Sequence, residues 1–147
     1  MSLNDLYREV ILDHYRSPRN RGSLPAADAH GEGHNPLCGD EITIDLAVED
    51  GVVTDVAVSG QGCSISQASA SMMTEAIKGH SFEEIKSVSE DFIELMTGDG
   101  IELDEAKPGQ VLGDLEALAG VREFPVRIKC ATLGWHTMLD ALEIEDA

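Results

Sequence analysis

A chain of 147 residues fits one domain, residues 1–147, with one core that removes about 70% of the unfolded surface from water. The apolar fraction of 42% is ordinary for globular chains, and no run approaches the ~18 uninterrupted apolar residues of a membrane span, so a soluble protein is expected. Twenty-eight acidic against ten basic residues give a formal charge of -18, which repels phosphate backbones and anionic lipid surfaces and argues against nucleic acid or membrane as partners.

Asp5, Arg8, Glu9 and Asp13 interrupt the apolar pattern near the start, so no signal peptide is read there and a cytoplasmic address is expected. The basic residues are uneven: Arg8, Arg16, Arg19 and Arg21 lie early, Arg122, Arg127 and Lys129 late, and none falls between Arg21 and Lys78. Two basic patches on an acidic body read either as docking surfaces or as plain salt-bridging of the acidic excess.

Leu3, Leu6, Tyr7, Val10, Ile11, His14 and Tyr15 recur at helical spacing, with Ser2 and Asp5 placed as a capping box, which predicts a helix over 3–16. Ser17-Pro18 breaks it, and the Gly-, Pro-, Asp- and His-rich stretch to Pro36 reads as extended or loop. Ile42, Ile44, Leu46 and Val48 alternate with polar residues as a half-buried strand. Asp50-Gly51 is a two-residue hairpin turn into a second strand, 52–59, with Val52, Val56 and Val58 available to one face. Beyond Gly60-Gln61-Gly62-Cys63 a helix is predicted over 64–78, with Gly79 as its stop. Ser81 and Glu84 form a capping box for a helix to about Met96. Thr97 to Gln110 reads as a loop or insertion, Asp114 to Leu118 as a short helix, and Val126 to Leu142 as the last helix, with Pro125 in its first turn. A helix, a short antiparallel sheet and then several helices predict an α+β domain with helices packed on one face.

Cys38, Cys63 and Cys130 are too few and too scattered for a secreted disulfide framework, and a reducing compartment keeps them as thiols. Cys38 and Asp40 are two residues apart, so in an extended segment both point to one side. Cys63 and Cys130 fall at or near helix starts, where unpaired N–H groups and the dipole favour thiolates. Three sulfurs and one carboxylate suit tetrahedral zinc, or iron-sulfur ligation if an oxygen ligand is tolerated. Without a C-x-x-C pair, the opposing reading is that each cysteine is a small buried hydrophobe. His30 and His34 precede Cys38 at four-residue spacing but fit solvated loop residues; His14 reads as part of a helix face, and His80 and His136 as exposed.

Four segments then carry a resemblance in order along nearly the whole chain: His14-Tyr15-Arg16-Ser17-Pro18-Arg19-Asn20-Arg21-Gly22, Asn35-Pro36-Leu37-Cys38-Gly39-Asp40, Gly62-Cys63-Ser64-Ile65-Ser66 and Arg127-Ile128-Lys129-Cys130. They resemble the U-type iron-sulfur cluster assembly proteins, and the SufU branch more than the IscU scaffold branch. Lys129 stands where the scaffold branch has a histidine, Thr97 to Gln110 belongs to an insertion typical of the SufU branch, and the Leu-Pro-Pro-Val-Lys chaperone motif is absent.

The resemblance implies a SufE/NifU-like fold, Zn²⁺ held by Cys38, Asp40, Cys63 and Cys130, and sulfur accepted from a SufS-type cysteine desulfurase. A downstream iron-sulfur scaffold of the SufBCD type is the implied recipient. Cys38 is the expected acceptor, because Gly39 gives its segment freedom while the other two cysteines are tied to helices. Arg127, about one helical turn before Cys130, is expected either to offset the thiolate charge and hold the moving sulfur or to be a solvated surface residue. The alternatives are a scaffold on which a [2Fe-2S] cluster is assembled, and a structural zinc domain that only docks to a partner.

Overall fold

In the computed structural model of the chain, residues 3–98 and 112–144 are described. Helix α1 (Leu3–Arg16) closes with Ser17 N–H donating to Asp13 O at 2.9 Å, and Pro18 stops it there. Residues 20–22 then run beside the sheet edge: Val58 N–H donates to Asn20 O and Gly22 N–H to Val58 O, both at 2.9 Å. The sheet is an antiparallel meander of β1 (Ala29–Asn35), β2 (Asp40–Glu49) and β3 (Val52–Gln61). Its β2–β3 hairpin turns on Asp50 at φ 52° and Gly51 at φ 76°, the two positive values that the expected tight turn needs.

The structure sharpens the sequence reading at one element and differs from it at two. The stretch read as extended or loop contains β1, which is a strand in spite of two glycines. A β-carbon at Gly33 would collide with Thr137 Oγ1, and one at Gly31 would lie 3.0 Å from Ala141 Cβ, so the glycines let a helix lie directly on the strand. Between Ala47 and Val48 the β2–β3 register shifts, and this turns Val53, rather than Val52, into the core. The short helix expected at Asp114 to Leu118 is a 3₁₀ helix over Gly113–Glu123. Ser2 of the first expected cap and residues 99–110 of the expected insertion lie outside the described residues.

Helices α2 (Ser64–Ile77) and α4 (Pro125–Ala141) cover the inner face of the sheet, where Ile42, Ile44 and Leu46 alternate inward and are buried. Gly134 of α4 admits this close packing, since its β-carbon would lie 3.2 Å from Ile42 Cδ1 and 3.6 Å from Ala70 Cβ. Helix α3 (Phe82–Thr97) starts with the expected Ser81–Glu84 capping box and stacks Phe92 on Trp135 at 4.8 Å. The indole N–H donates to Ser69 Oγ at 3.2 Å, and Ser69 O–H to Ala131 O at 2.5 Å, which satisfies the polar atoms taken into this core.

His14 belongs to the α1 face as the spacing predicts, and it is wholly buried. Its Nδ1 lies 2.8 Å from Ser71 Oγ on α2 and its Nε2 lies 2.9 Å from Asp114 on the 3₁₀ helix, so one ring joins three helices. Arg19 reaches Asp13 at 2.5 Å and Glu75 at 3.6 Å, while Arg21 donates to Gln67 Oε1 at 2.8 Å and to Gly60 O. The Arg19 and Arg21 part of the early basic patch therefore stitches α1, α2 and β3 together. No helix among the described residues is long and apolar enough to cross a membrane.

Candidate metal centre

The three cysteines come from three joints of the fold that meet at one end of the sheet. Cys38 sits in the turn between β1 and β2, Cys63 caps α2 where β3 ends, and Cys130 lies five residues beyond Pro125 in α4. Cys38 and Asp40 do converge, but not through an extended backbone: residues 36–39 form a turn, and Gly39 has φ 68° with open space around its α-carbon. One ligand atom each from Cys38, Asp40 and Cys130 lies within 4.8 Å of the others, and the Cys130 and Cys38 sulfurs are 2.8 Å apart.

Asp40 is fully buried and oriented. Its Oδ1 accepts the backbone N–H of Cys63 at 2.8 Å, and its Oδ2 lies 4.0 Å from Cys63 Sγ, which brings the third cysteine to the same carboxylate. Gly62 makes this possible, because a β-carbon there would collide with Asp40 Oδ1. Cys63 Sγ in turn accepts the N–H of Ser66 at 3.5 Å as the N-cap of α2, the helix-start role expected for it.

Cys130 departs from expectation. It lies past the unpaired N–H groups of the first turn of α4 and is 1% exposed, so burial pushes its thiol far above the usual range, and hydrogen bonds with Cys38 and Asp40 push further. A buried thiol wrapped by two other sulfurs and a carboxylate stays protonated unless a positive charge is brought to it. The donor set of three sulfurs and one carboxylate is that of a tetrahedral zinc site, and its most buried sulfur has the environment that a bound cation would compensate, so the residues fit such an ion.

Arg127 is exposed, and the charges of the site's sulfurs reach its guanidinium. Its pKa is pushed up first by the charge of Cys63, then by a hydrogen bond to that sulfur, then by Cys38 and Cys130. Lys129 is exposed.

Asn35 was not singled out in the sequence and belongs here. It is 6% exposed, donates its Nδ2–H to Cys130 Sγ at 3.7 Å, and accepts Leu37 N–H on Oδ1 at 3.3 Å. The signal was local: an Asn two residues before the turn's exposed Leu37 is a residue type that fixes turns through its own side chain. The histidines stay out of the site. His30 Nδ1 lies 2.6 Å from Asp45 Oδ1 on the β1–β2 ladder, and His34, His80 and His136 are exposed.

The family description "NifU-like N terminal domain" matches residues 6–131. The chain is 47% identical over 137 residues to the zinc-dependent sulfurtransferase SufU of Bacillus subtilis, covering 93% of this chain and 89% of that one. It is 40% identical over 142 residues to the iron-sulfur cluster assembly scaffold protein IscU of Streptococcus pyogenes serotype M1, covering 96% and 85%. A crystal structure of a nitrogen-fixing NifU-like protein (N-terminal) from Brucella abortus superposes with TM-score 0.81 at 26% identity, over 97% of this chain and 95% of that one.

Proposed function

The chain belongs to the family of NifU-like N-terminal domains, and from that premise we propose that it is a zinc-dependent sulfurtransferase that accepts persulfide sulfur for iron-sulfur cluster assembly. Its metal ligands are Cys38, Asp40, Cys63 and Cys130, its acceptor is Cys38, and its sulfur donor is a cysteine desulfurase of the SufS type. The observation that carries the reading is the convergence of Cys38, Asp40 and Cys130, with Cys63 bound to the same carboxylate.

A bound zinc ion supplies the positive charge that keeps these thiols deprotonated at neutral pH. What this chain does with a thiolate is nucleophilic. The Cys38 sulfur attacks the outer sulfur of the donor's cysteine persulfide, a new sulfur–sulfur bond forms on Cys38, the donor's own sulfur–sulfur bond breaks, and the donor cysteine departs as a thiolate. The extra sulfur is transferred with no net change in electrons, and no outside oxidant is needed. Cys38 is the sulfur best able to swing toward a donor. It lies in a turn with a left-handed, unpacked Gly39, whereas Cys63 is fixed as a helix cap and Cys130 is buried in α4. That the charges of all three sulfurs reach Arg127 supports a role in holding the anionic persulfide once it has moved.

The protein works in the cytoplasm, where its three cysteines persist as thiols, and passes sulfur to a downstream scaffold of the SufBCD type. Metal analysis of the purified protein, followed by mass spectrometry after incubation with a desulfurase and cysteine, tests the proposal. Zinc in equal amount to protein and one added sulfur mapped to Cys38 are expected; neither zinc nor sulfur would overturn it. Likeness to a relative named as a scaffold gives the second reading, a [2Fe-2S] assembly platform, and stoichiometric iron and sulfide after anaerobic purification would favour it.

A further inference from the structure

Burial is expected for large apolar side chains, and the exceptions carry information when they cluster. Among the described residues the most exposed large hydrophobics are Leu37 at 70%, Val126 at 61% and Phe124 at 60%, ahead of Tyr15 at 45% and Leu6 at 37%. The first three all lie close in sequence to residues of the site. Leu37 precedes Cys38 in the turn; Val126 lies four residues before Cys130, on the same face of α4; and Phe124 stands three residues before Arg127.

Stability of the fold does not account for Phe124. Phe124 occupies the N-cap of α4 and makes no side-chain cap hydrogen bond, at a position where Ser, Thr, Asp or Asn would stabilise the helix. An apolar side chain is kept where a polar cap would be better for the chain alone.

The segment that carries Phe124 and Val126 is also opposite in charge to the molecule. Residues 122–130 carry Arg122, Arg127 and Lys129 against Glu123, three positive and one negative, on a chain of net charge -18. Unlike Arg19 and Arg21, which are drawn into ties between α1, α2 and β3, Arg127 and Lys129 lie on the exposed start of α4.

We infer that Leu37, Phe124 and Val126 form the docking collar for the protein that delivers sulfur, and that this partner surrounds its donor cysteine with an apolar surface edged by carboxylates. The inference rests on the sulfurtransferase reading. To form a sulfur–sulfur bond of about 2.05 Å with the half-buried Cys38, a donor must bring a protruding segment into the turn, and its flanks then cover the collar. The apolar contacts supply affinity and the basic rim supplies orientation. A second copy seated through the same face is a poor occupant, since it would set Arg127 and Lys129 of one copy against those of the other.

The test uses the full-length, zinc-loaded protein with a cysteine desulfurase, comparing the parent, Leu37→Ser, the double variant Phe124→Ser/Val126→Ser, and Cys38→Ser. For the collar variants, Kd and the KM for acceptor should rise about tenfold or more while kcat stays within about twofold. Zinc content should match the parent, and melting temperature should not fall below it, rising for the Phe124→Ser/Val126→Ser variant if the new serine caps α4. Cys38→Ser should bind the desulfurase as the parent does and accept no sulfur. Collar variants with unchanged Kd and KM would overturn the docking surface and leave the sulfurtransferase reading standing. Loss of self-association by sedimentation, with desulfurase binding unchanged, would also overturn it and assign the collar to a second copy. A parent that neither binds nor stimulates the desulfurase would overturn the functional reading itself, and the collar with it.

Discussion

The Asp40 carboxylate and the backbone of Cys63 are joined by a 2.8 Å hydrogen bond across the end of the β2–β3 ladder, and the residue between β3 and that cysteine is a glycine because nothing larger clears the carboxylate. Gly62→Ala should therefore lower stability by about 1–3 kcal/mol, as overpacking of a filled site does. The collision lies within the chain itself, so the drop in melting temperature should persist after chelator treatment. Asp40→Ala, by contrast, leaves three sulfurs and should retain zinc while changing reactivity. Equal melting of Gly62→Ala and parent would show that the carboxylate moves aside freely.

Asn35 is the donor that faces Cys130, at 3.7 Å. Replacing it with Asp keeps the shape but removes the N–H and sets a negative charge against the sulfur. Metal release to a competing chelator, followed by stopped-flow absorbance, should accelerate about 10- to 100-fold, the usual effect of losing an outer partner of a metal ligand. An unchanged release rate would make this contact inert.

For Arg127→Ala, desulfurase-coupled turnover should fall about 10- to 100-fold, the range of a lost charge-assisted hydrogen bond, with zinc content nearly unchanged. Arg127→Lys should recover part of the rate, since it restores the charge but not the planar fork. If turnover in both variants equals that of the parent, the guanidinium does no more than lie within reach of the sulfurs' charge.

The His30–Asp45 pair makes stability depend on pH in a defined direction. The hydrogen bond to Asp45 raises His30 above its ordinary 6.5, so this contribution is complete below that value and fades as pH rises through the raised one. The same bond lowers Asp45 below its ordinary 3.8, so its contribution is complete above that value and fades as pH falls through the lowered one. Asp45→Asn should therefore reduce the melting temperature most at pH 5 to 6 and less at pH 8 to 9. Because the imidazole is 53% exposed, added salt should narrow the difference. A melting deficit that is flat from pH 5 to 9 would rule the ion pair out as its source.

Much of the fold was legible because local periodicity and burial agree. The α1 spacing, the Asp50-Gly51 hairpin, the Ser81–Glu84 box and Pro125 at the start of α4 each act through neighbours in sequence. β1 is legible only as extended or loop, since Gly31 and Gly33 look like loop residues until Thr137 and Ala141 are seen pressed against them. His14 is legible as part of the α1 face, but its partners are not, since Ser71 and Asp114 lie 57 and 100 residues away. At the site, residue types and family resemblance named the four candidate ligands, but no spacing rule brings cysteines from three separate joints together, and Asn35 acts on a sulfur 95 residues away.

That wide separation has a consequence for how the chain holds together. Asp40 and Cys63 close a loop of 23 residues and Cys38 and Cys130 one of 92, a fourfold difference in length. Because loop-closure entropy grows only with the logarithm of length, the longer tie costs the unfolded chain about 1.2 kcal/mol more than the shorter one. An ion that joins these segments acts as a cross-link between the β1–β2 turn and the last helix, spanning most of the molecule for little more than a hairpin-sized closure. Occupancy of the centre is thus a readout of completed topology: only a chain whose sheet and final helix have already met can grip the ion with its full set of side chains.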